Sequence, residues 1–190
     1  MSYESLLKLC SNRKSCRQFL AGDTLDAQEV QQVLDLAAHS PFASGRKNWK
    51  IAVVTERERI AALAAKVRDE ATALAGWMEE EPARFFLNYA RSFTFFETAP
   101  ALFIPYCRES ATMKSLLREQ ASADILQWDR DNLTKSLSCV AMLILLAAES
   151  LDLGACYMTG PLLAGKSLNA VLGLPENVLL GAVVPVGHRL

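Results

Sequence analysis

The chain has 190 residues, of which 51% are hydrophobic and 22% charged, a composition that excludes a disordered tail, a collagen-like fibre and a low-complexity linker. Twenty Lys and Arg against 21 Asp and Glu leave a formal charge of −1, so no global field draws nucleic acid or an anionic membrane, and any anion site has to be built locally. One domain over residues 1–190 is expected, large enough to bury roughly 70% of the surface its unfolded chain exposes.

The first predicted element is a short helix over residues 3–12 with Leu6, Leu7, Leu9 and Cys10 as its apolar face. The opening stretch MSYESLLKLCSNRK has no apolar h-region, does not read as a signal peptide, and so predicts a cytoplasmic protein. A second helix begins at Asp26, which with Glu29 makes a capping-box pattern, and ends near Ser40 and Pro41. Ile51 to Val54 is strand-like, and Thr55 with Glu58 opens a third helix running to about Gly76. Glu79 to Pro82 is a good helix start. The segment that follows carries Phe85, Phe86, Tyr89, Phe93, Phe95 and Phe96, either a core stripe or a wall over a flat ligand.

ALFIPYC (101–107) reads as a strand with Pro105 marking an edge or an end. Helices are expected over 115–130 and 132–151, the second apolar nearly all round and therefore central. ACYMT is a short strand, PLLAGKSLNAVLG holds another helix, and VLLGAVVPV (178–186) is a final buried strand. The longest apolar run, Cys139 to Ala148, is about half of what a bilayer requires. These elements predict an α+β fold, a small sheet with helices packed on it.

Chemistry-bearing motifs are few. The five cysteines show no paired spacing, which points to reduced thiols. Only His39 and His188 are available for a nucleophile–base pair, and no metal-ligand string is present, so no metal is expected. Gly160 to Ser167 reads GPLLAGKS and fits the letters of a Walker A loop. Bulky Pro161, Leu162 and Leu163 and the 23 residues left after Ser167 argue against a P-loop hydrolase, which is a remote alternative. Two acid-free windows are more informative: Arg13, Lys14 and Arg17 surround Ser15, and Arg46, Lys47 and Lys50 cluster around Gly45. Such windows suit a compact anionic ligand held by arginine forks, a hydroxyl and free backbone N–H groups.

The ordered set of motifs resembles the FMN-dependent nitroreductases. Asn12 to Phe19 (NRKSCRQF) is similar to that family's opening signature, and Ala37 to Trp49 followed by IAVV is similar to its second block. Thr98-Ala99-Pro100-Ala101, the central helix ending Leu153-Gly154-Ala155-Cys156-Tyr157-Met158, Thr159-Gly160-Pro161 and Leu172-Gly173-Leu174-Pro175 before VVPVGH follow in the family's order. The resemblance implies a nitroreductase-like fold, a mostly antiparallel sheet flanked by helices in an intertwined homodimer with FMN at each of two interface sites. It implies that Arg13 and Ser15, with Lys14 between them, hold the phosphate and ribityl end, with Arg189 a second phosphate ligand. Arg17 then lies near the pyrimidine edge of the flavin. Pro41, Phe42, Ala43, Ser44 and Gly45 reach the flavin from the partner subunit, with Lys47 adding charge where the family has an amide. Thr159 and Gly160 pass the flavin's other face. The implied activity is transfer of two electrons from NADH or NADPH to a nitroaromatic or quinone-like acceptor by a ping-pong mechanism. A flavin-storing, sensing or remodelling protein of the same fold without NAD(P)H turnover is the alternative.

Overall fold

The computed structural model describes residues 2–42, 48–109 and 116–190. Its centre is β2 (Ala101–Arg108), an eight-residue strand whose side chains alternate between two cores. Leu102 and Ile104 face one core, and Ala101 and Phe103 face the other, all fully buried. β1 (Trp49–Val54) lies antiparallel on one side, with Trp49 opposite Cys107 and Val54 opposite Leu102. On the other side β4 (Val178–Leu180) pairs with 106–108 and β5 (Val184–Gly187) with 101–103. β3 (Gly154–Ala155) continues the sheet beyond β5. The first core gathers α3 (Arg57–Ala75), α4 (Glu80–Ala90), the 3-10 segment Arg91–Thr98 and α6 (Gly165–Val171); the second gathers α2 (Ala27–Ala37) and α5 (Ala123–Ser150).

Several expectations hold. α1 (Tyr3–Asn12) has the predicted limits, and the capping box at the start of α2 has both of its hydrogen bonds, Glu29 N–H to Asp26 at 2.7 Å and Asp26 N–H to Glu29 at 2.8 Å. All five cysteines are free. Other expectations are corrected. α3 is entered through Glu56 with no side-chain cap, in place of the Thr55 cap. The two helices predicted over 115–130 and 132–151 are a single 28-residue α5, capped by the Ser122 hydroxyl on Ile125 N–H. The Asp131-Asn132 pair reads locally as a break. The side chain of Gln127 donates to Asp131 at 2.7 Å, and burial of Leu133, Leu137, Val140 and Ile144 carries the helix through. By length and composition α5 meets the requirement for a membrane span, yet half of its most apolar window is buried within the protein.

Pro105 sits in the central strand, not at an edge. It is tolerated because β4 and β5 are separated by a bulge: four steps along that side, from Leu180 to Val184, face three along β2, from Tyr106 to Phe103. The missing proline N–H falls at this interruption, and the Pro105 carbonyl accepts the Gly181 N–H at 2.8 Å. The predicted 178–186 strand is thus two strands, and ACYMT is a strand only at its beginning, followed by a bridge from Met158 to Val183.

The chain ends are tied together at the sheet edge. Phe19 bridges to Arg189, and Leu20 N–H donates to the His188 carbonyl at 3.1 Å. The His188 ring lies between two carboxylates, Nδ1 2.9 Å from Asp23 and Nε2 3.2 Å from Glu29, and the His188 backbone N–H donates to Asp23 at 2.8 Å. The hydrogen bond to Asp23 raises the His188 pKa above its ordinary value, burial opposes it, and the charges of Asp23 and Glu29 add to it. Burial pushes Asp23 upward, but the N–H, ring and charge of His188 with the Thr24 N–H outweigh it and hold the carboxyl below its usual range. A raised folded pKa stabilises the fold fully below the ordinary histidine value of about 6.5 and loses that contribution as pH rises through the raised value. The thermal midpoint should therefore fall by about 2–4 °C as pH is raised from about 6 to about 8.5, the effect of a partly exposed pair worth about 1 kcal/mol. Thermal melts of His188→Gln should lack that slope; an unchanged slope would remove the clasp from the account.

Candidate functional site

The basic stretch 13–17 lies beside β3 as an added edge. Ser15 is in parallel register with Ala155, and Cys16 N–H donates to the Ala155 carbonyl at 2.9 Å. The two backbones approach so closely that a Cβ placed on Gly154 would lie 2.5 Å from Cys16 Sγ. The Cys156 thiol marks what gathers there. Burial raises its pKa, while a hydrogen bond from Ser15 and the charges of Arg17 and Arg13 pull it back and Cys16 opposes them.

A cavity of about 410 Å³ opens at this edge, lined by Lys14, Ser15, Cys16, Arg17, Gln18, Arg189 and Leu190. Among the described residues its lining includes no Asp or Glu side chain. Arg189 is already matched, since its Nη2 donates to Glu149 and, at 2.9 Å, to the Leu153 carbonyl. Among the described residues, Arg13, Lys14 and Arg17 have no carboxylate within ion-pair distance. Three unmatched cations and a hydroxyl on one edge of a chain of charge −1 make a site for an anion such as a phosphate monoester. The chemistry of these residues fits the phosphate end of FMN.

β3 leads through Met158 to Thr159, which is exposed, and Gly160, where a 3-10 turn (Gly160–Ala164) begins. Phe93 packs against this turn, and a Cβ on Gly160 would stand 2.3 Å from Phe93 Cδ1. Tyr89 in turn meets the Phe93 ring edge to face at 4.9 Å. The predicted aromatic stripe therefore divides: Phe93 and Phe96 are core, whereas Phe85 and Tyr89 are 77% and 61% exposed. The Walker-like letters form no phosphate loop. Leu162 N–H is spent on the Thr159 carbonyl at 3.0 Å, and the Ser167 hydroxyl donates to Glu70 at 2.6 Å.

The second basic window lies elsewhere. Pro41 is exposed, and Phe42 packs with Trp49 on Cys107, Leu133, Leu137 and Leu179 at the far end of β2. Ala43, Ser44, Gly45, Arg46 and Lys47 lie outside the described residues. Cys107, opposite Trp49, and Ala101, opposite Val186, are six residues apart on β2, about 20 Å. Phe42 and Trp49, which flank the second window, thus sit at the opposite end of β2 from the edge where Ser15 pairs with Ala155. The aromatic run was visible in the sequence, but the partners of Phe93, Gly160 and Tyr89, were not.

Known proteins can be set beside this geometry. The sequence profile of the Nitroreductase family matches residues 10–188. Among solved structures, the chain is similar to a BluB-like flavoprotein from Clostridium difficile 630, with a TM-score of 0.83 and 20% identity over 97% of this chain and 90% of that one. It is similar to a nitroreductase with bound FMN from Desulfitobacterium hafniense DCB-2 (0.69, 22% identity, 100% and 90% covered) and to an oxidized iodotyrosine deiodinase bound to FMN and 3-iodo-L-tyrosine (0.69, 18%, 97% and 89%). These likenesses establish the fold. A search of curated proteins found no match.

The contact between Gly160 and Phe93 makes a stability prediction. Gly160→Ala should cost about 1–3 kcal/mol, since the ring has to move in a packed core. In urea melts the loss should be largely recovered when Phe93→Leu is added, so that the pair is strongly sub-additive. Additive losses would mean that the turn is not seated on the ring.

Proposed function

Because the chain belongs to the nitroreductase family, we propose that it is a homodimeric, cytoplasmic FMN flavoprotein that oxidises NADH or NADPH and delivers two electrons to a nitroaromatic or quinone-like acceptor. The observation that carries this reading is the set of unmatched cations, Arg13, Lys14 and Arg17, around Ser15 at the edge of β3. Arg13, Lys14 and Ser15 hold the phosphate and ribityl end, and Arg17 supplies positive charge toward the pyrimidine edge of the ring. Arg189, anchored by Glu149, closes the cavity and offers its remaining donors. Thr159, exposed at the start of the Gly160 turn, lies along the flavin's other face. When bound, FMN supplies the hydride chemistry, taking two electrons from the nicotinamide and passing them on.

Two features support the second copy. Phe42 packs beside Cys107, about 20 Å along β2 from Ala101 at the end nearer the basic edge, a spacing that suits a site shared between two chains. α1 has no buried residue, and Tyr3, Leu6 and Leu7 are 73%, 45% and 51% exposed on it, with Met142 of α5 at 49%. Apolar side chains in this number along a helix suit a partner surface better than solvent.

The test is the flavin itself. The purified protein should carry FMN stoichiometric with the chain, sediment as a dimer, and be bleached anaerobically by NADH or NADPH. Arg17→Ala should lower FMN affinity by roughly 10- to 100-fold, the range for losing a hydrogen bond to a charged group. A protein that takes up no added FMN would overturn the reading. One that holds FMN but is not bleached by either nicotinamide would overturn the donor and leave a storage or sensing role.

A further inference from the structure

The 3-10 segment Arg91–Thr98 has three residues per turn, so residues three apart stack in rows. Phe93 and Phe96 form the inward row and are buried. Ser92, Phe95 and Thr98 form another, on which Ser92 and Thr98 are exposed and Phe95 is half-buried. Small hydroxyl residues serve this row at its other two positions. The Arg17 guanidinium explains the aromatic one: its central carbon lies 5.8 Å from the centroid of the Phe95 ring. The segment beneath is pinned from behind. Arg57 donates to the Ala99 carbonyl at 2.9 Å, and Arg68 pairs with Glu97 at 2.8 Å.

We propose that Phe95 is a positioning residue for Arg17, an aromatic platform that orients the guanidinium toward the flavin while leaving its charge unspent. The inference rests on the flavin reading above and goes beyond it by naming what holds the charge in place. An arginine on a loop gives up rotamer freedom when it is ordered, and a contact has to offset that cost. A carboxylate would do so by neutralising the charge and occupying the N–H donors. A ring face attracts the cation, selects the plane of the guanidinium and leaves its five N–H groups free for an anionic ligand.

The experiment is a double-mutant cycle read in FMN affinity, by flavin-fluorescence titration, and in the midpoint potential of the bound flavin. Phe95→Leu should weaken FMN binding about three- to tenfold, in keeping with a partly solvated cation–π contact. In an Arg17→Ala background the same change should cause no further loss. Phe95→Trp should restore affinity, and Phe95→Leu and Arg17→Ala should shift the potential in the same direction. Equal losses in both backgrounds, or failure of Phe95→Trp to restore binding, would overturn the proposal, as would an unchanged affinity in Phe95→Leu. Phe95→Met, which keeps apolar bulk without a ring face, repeats the measurement if Phe95→Leu disturbs the fold. Loss of the fold in both assigns Phe95 to packing and also overturns it. A wild-type protein that binds no FMN takes down the flavin reading and this inference together; one that binds FMN with Phe95→Leu unaffected takes down only this inference.

Discussion

The hydrogen bond from the Cys16 amide to the Ala155 carbonyl decides where the basic loop lies, and the rest of the site follows from it. It joins a segment from the start of the chain to the last strand of the sheet, on the far side of β5 from the central β2. With that pairing made, Lys14 and Arg17 line a cavity that has no Asp or Glu side chain among its described residues, and Arg13 lies next to them in the chain. Cations left without counter-charge repel one another, and a fold that keeps three together does so at some loss of stability. The loss is offset nearby. His188 between Asp23 and Glu29, and Arg189 on Glu149, tie down the same edge with pairs of opposite sign. Unmatched charge and matched charge therefore lie within a few residues of each other, with Arg189 paired to Glu149 while lining the same cavity.

What was legible in the sequence was whatever local chemistry decides. Asp26 and Glu29 announce their helix because the capping box is closed by residues three apart. The acid-free window around Ser15 is visible as composition. What was not legible depended on distant partners. Asp131 and Asn132 look like a helix break until α5 is packed on the sheet. Pro105 looks like an edge residue until the bulge between Leu180 and Val184 supplies a place for its missing N–H. The aromatic run from Phe85 to Phe96 could not be sorted into core and surface, because α4 and the following 3-10 segment turn the chain at different rates. Residues four apart share a face in one, and residues three apart in the other.

The same limits apply to the candidate site. The basic edge and the Pro41–Phe42 stretch are close to each other in family order but lie at opposite ends of β2. Residues on α1 that sequence periodicity assigns to a buried face, Leu6 and Leu7, are exposed here. A helix that rests on α5 yet leaves Tyr3, Leu6 and Leu7 exposed is consistent with the reading in which a second chain covers them.

Gly160 and Phe95 show how the supporting layer shapes what the site can do. The ring of Phe93 occupies the space a Gly160 side chain would need, so the turn exposes backbone and stays flat. Two residues on, Phe95 packs in part against the same core and meets Arg17. One short, rigid 3-10 segment, held by Arg57 and Arg68, therefore backs both the flat surface and the fixed charge. A planar, anionic ring system needs both, and needs them in fixed relation, because a charge that wanders stabilises the bound and unbound forms alike. An α-helix in the same place, with 3.6 residues per turn, would set residues two apart at a different angle and lose that relation. The aromatic run is thus neither a plain core stripe nor a ligand wall. It is a scaffold whose inward row stabilises the fold and whose outward residue preserves the charge that the proposed function requires.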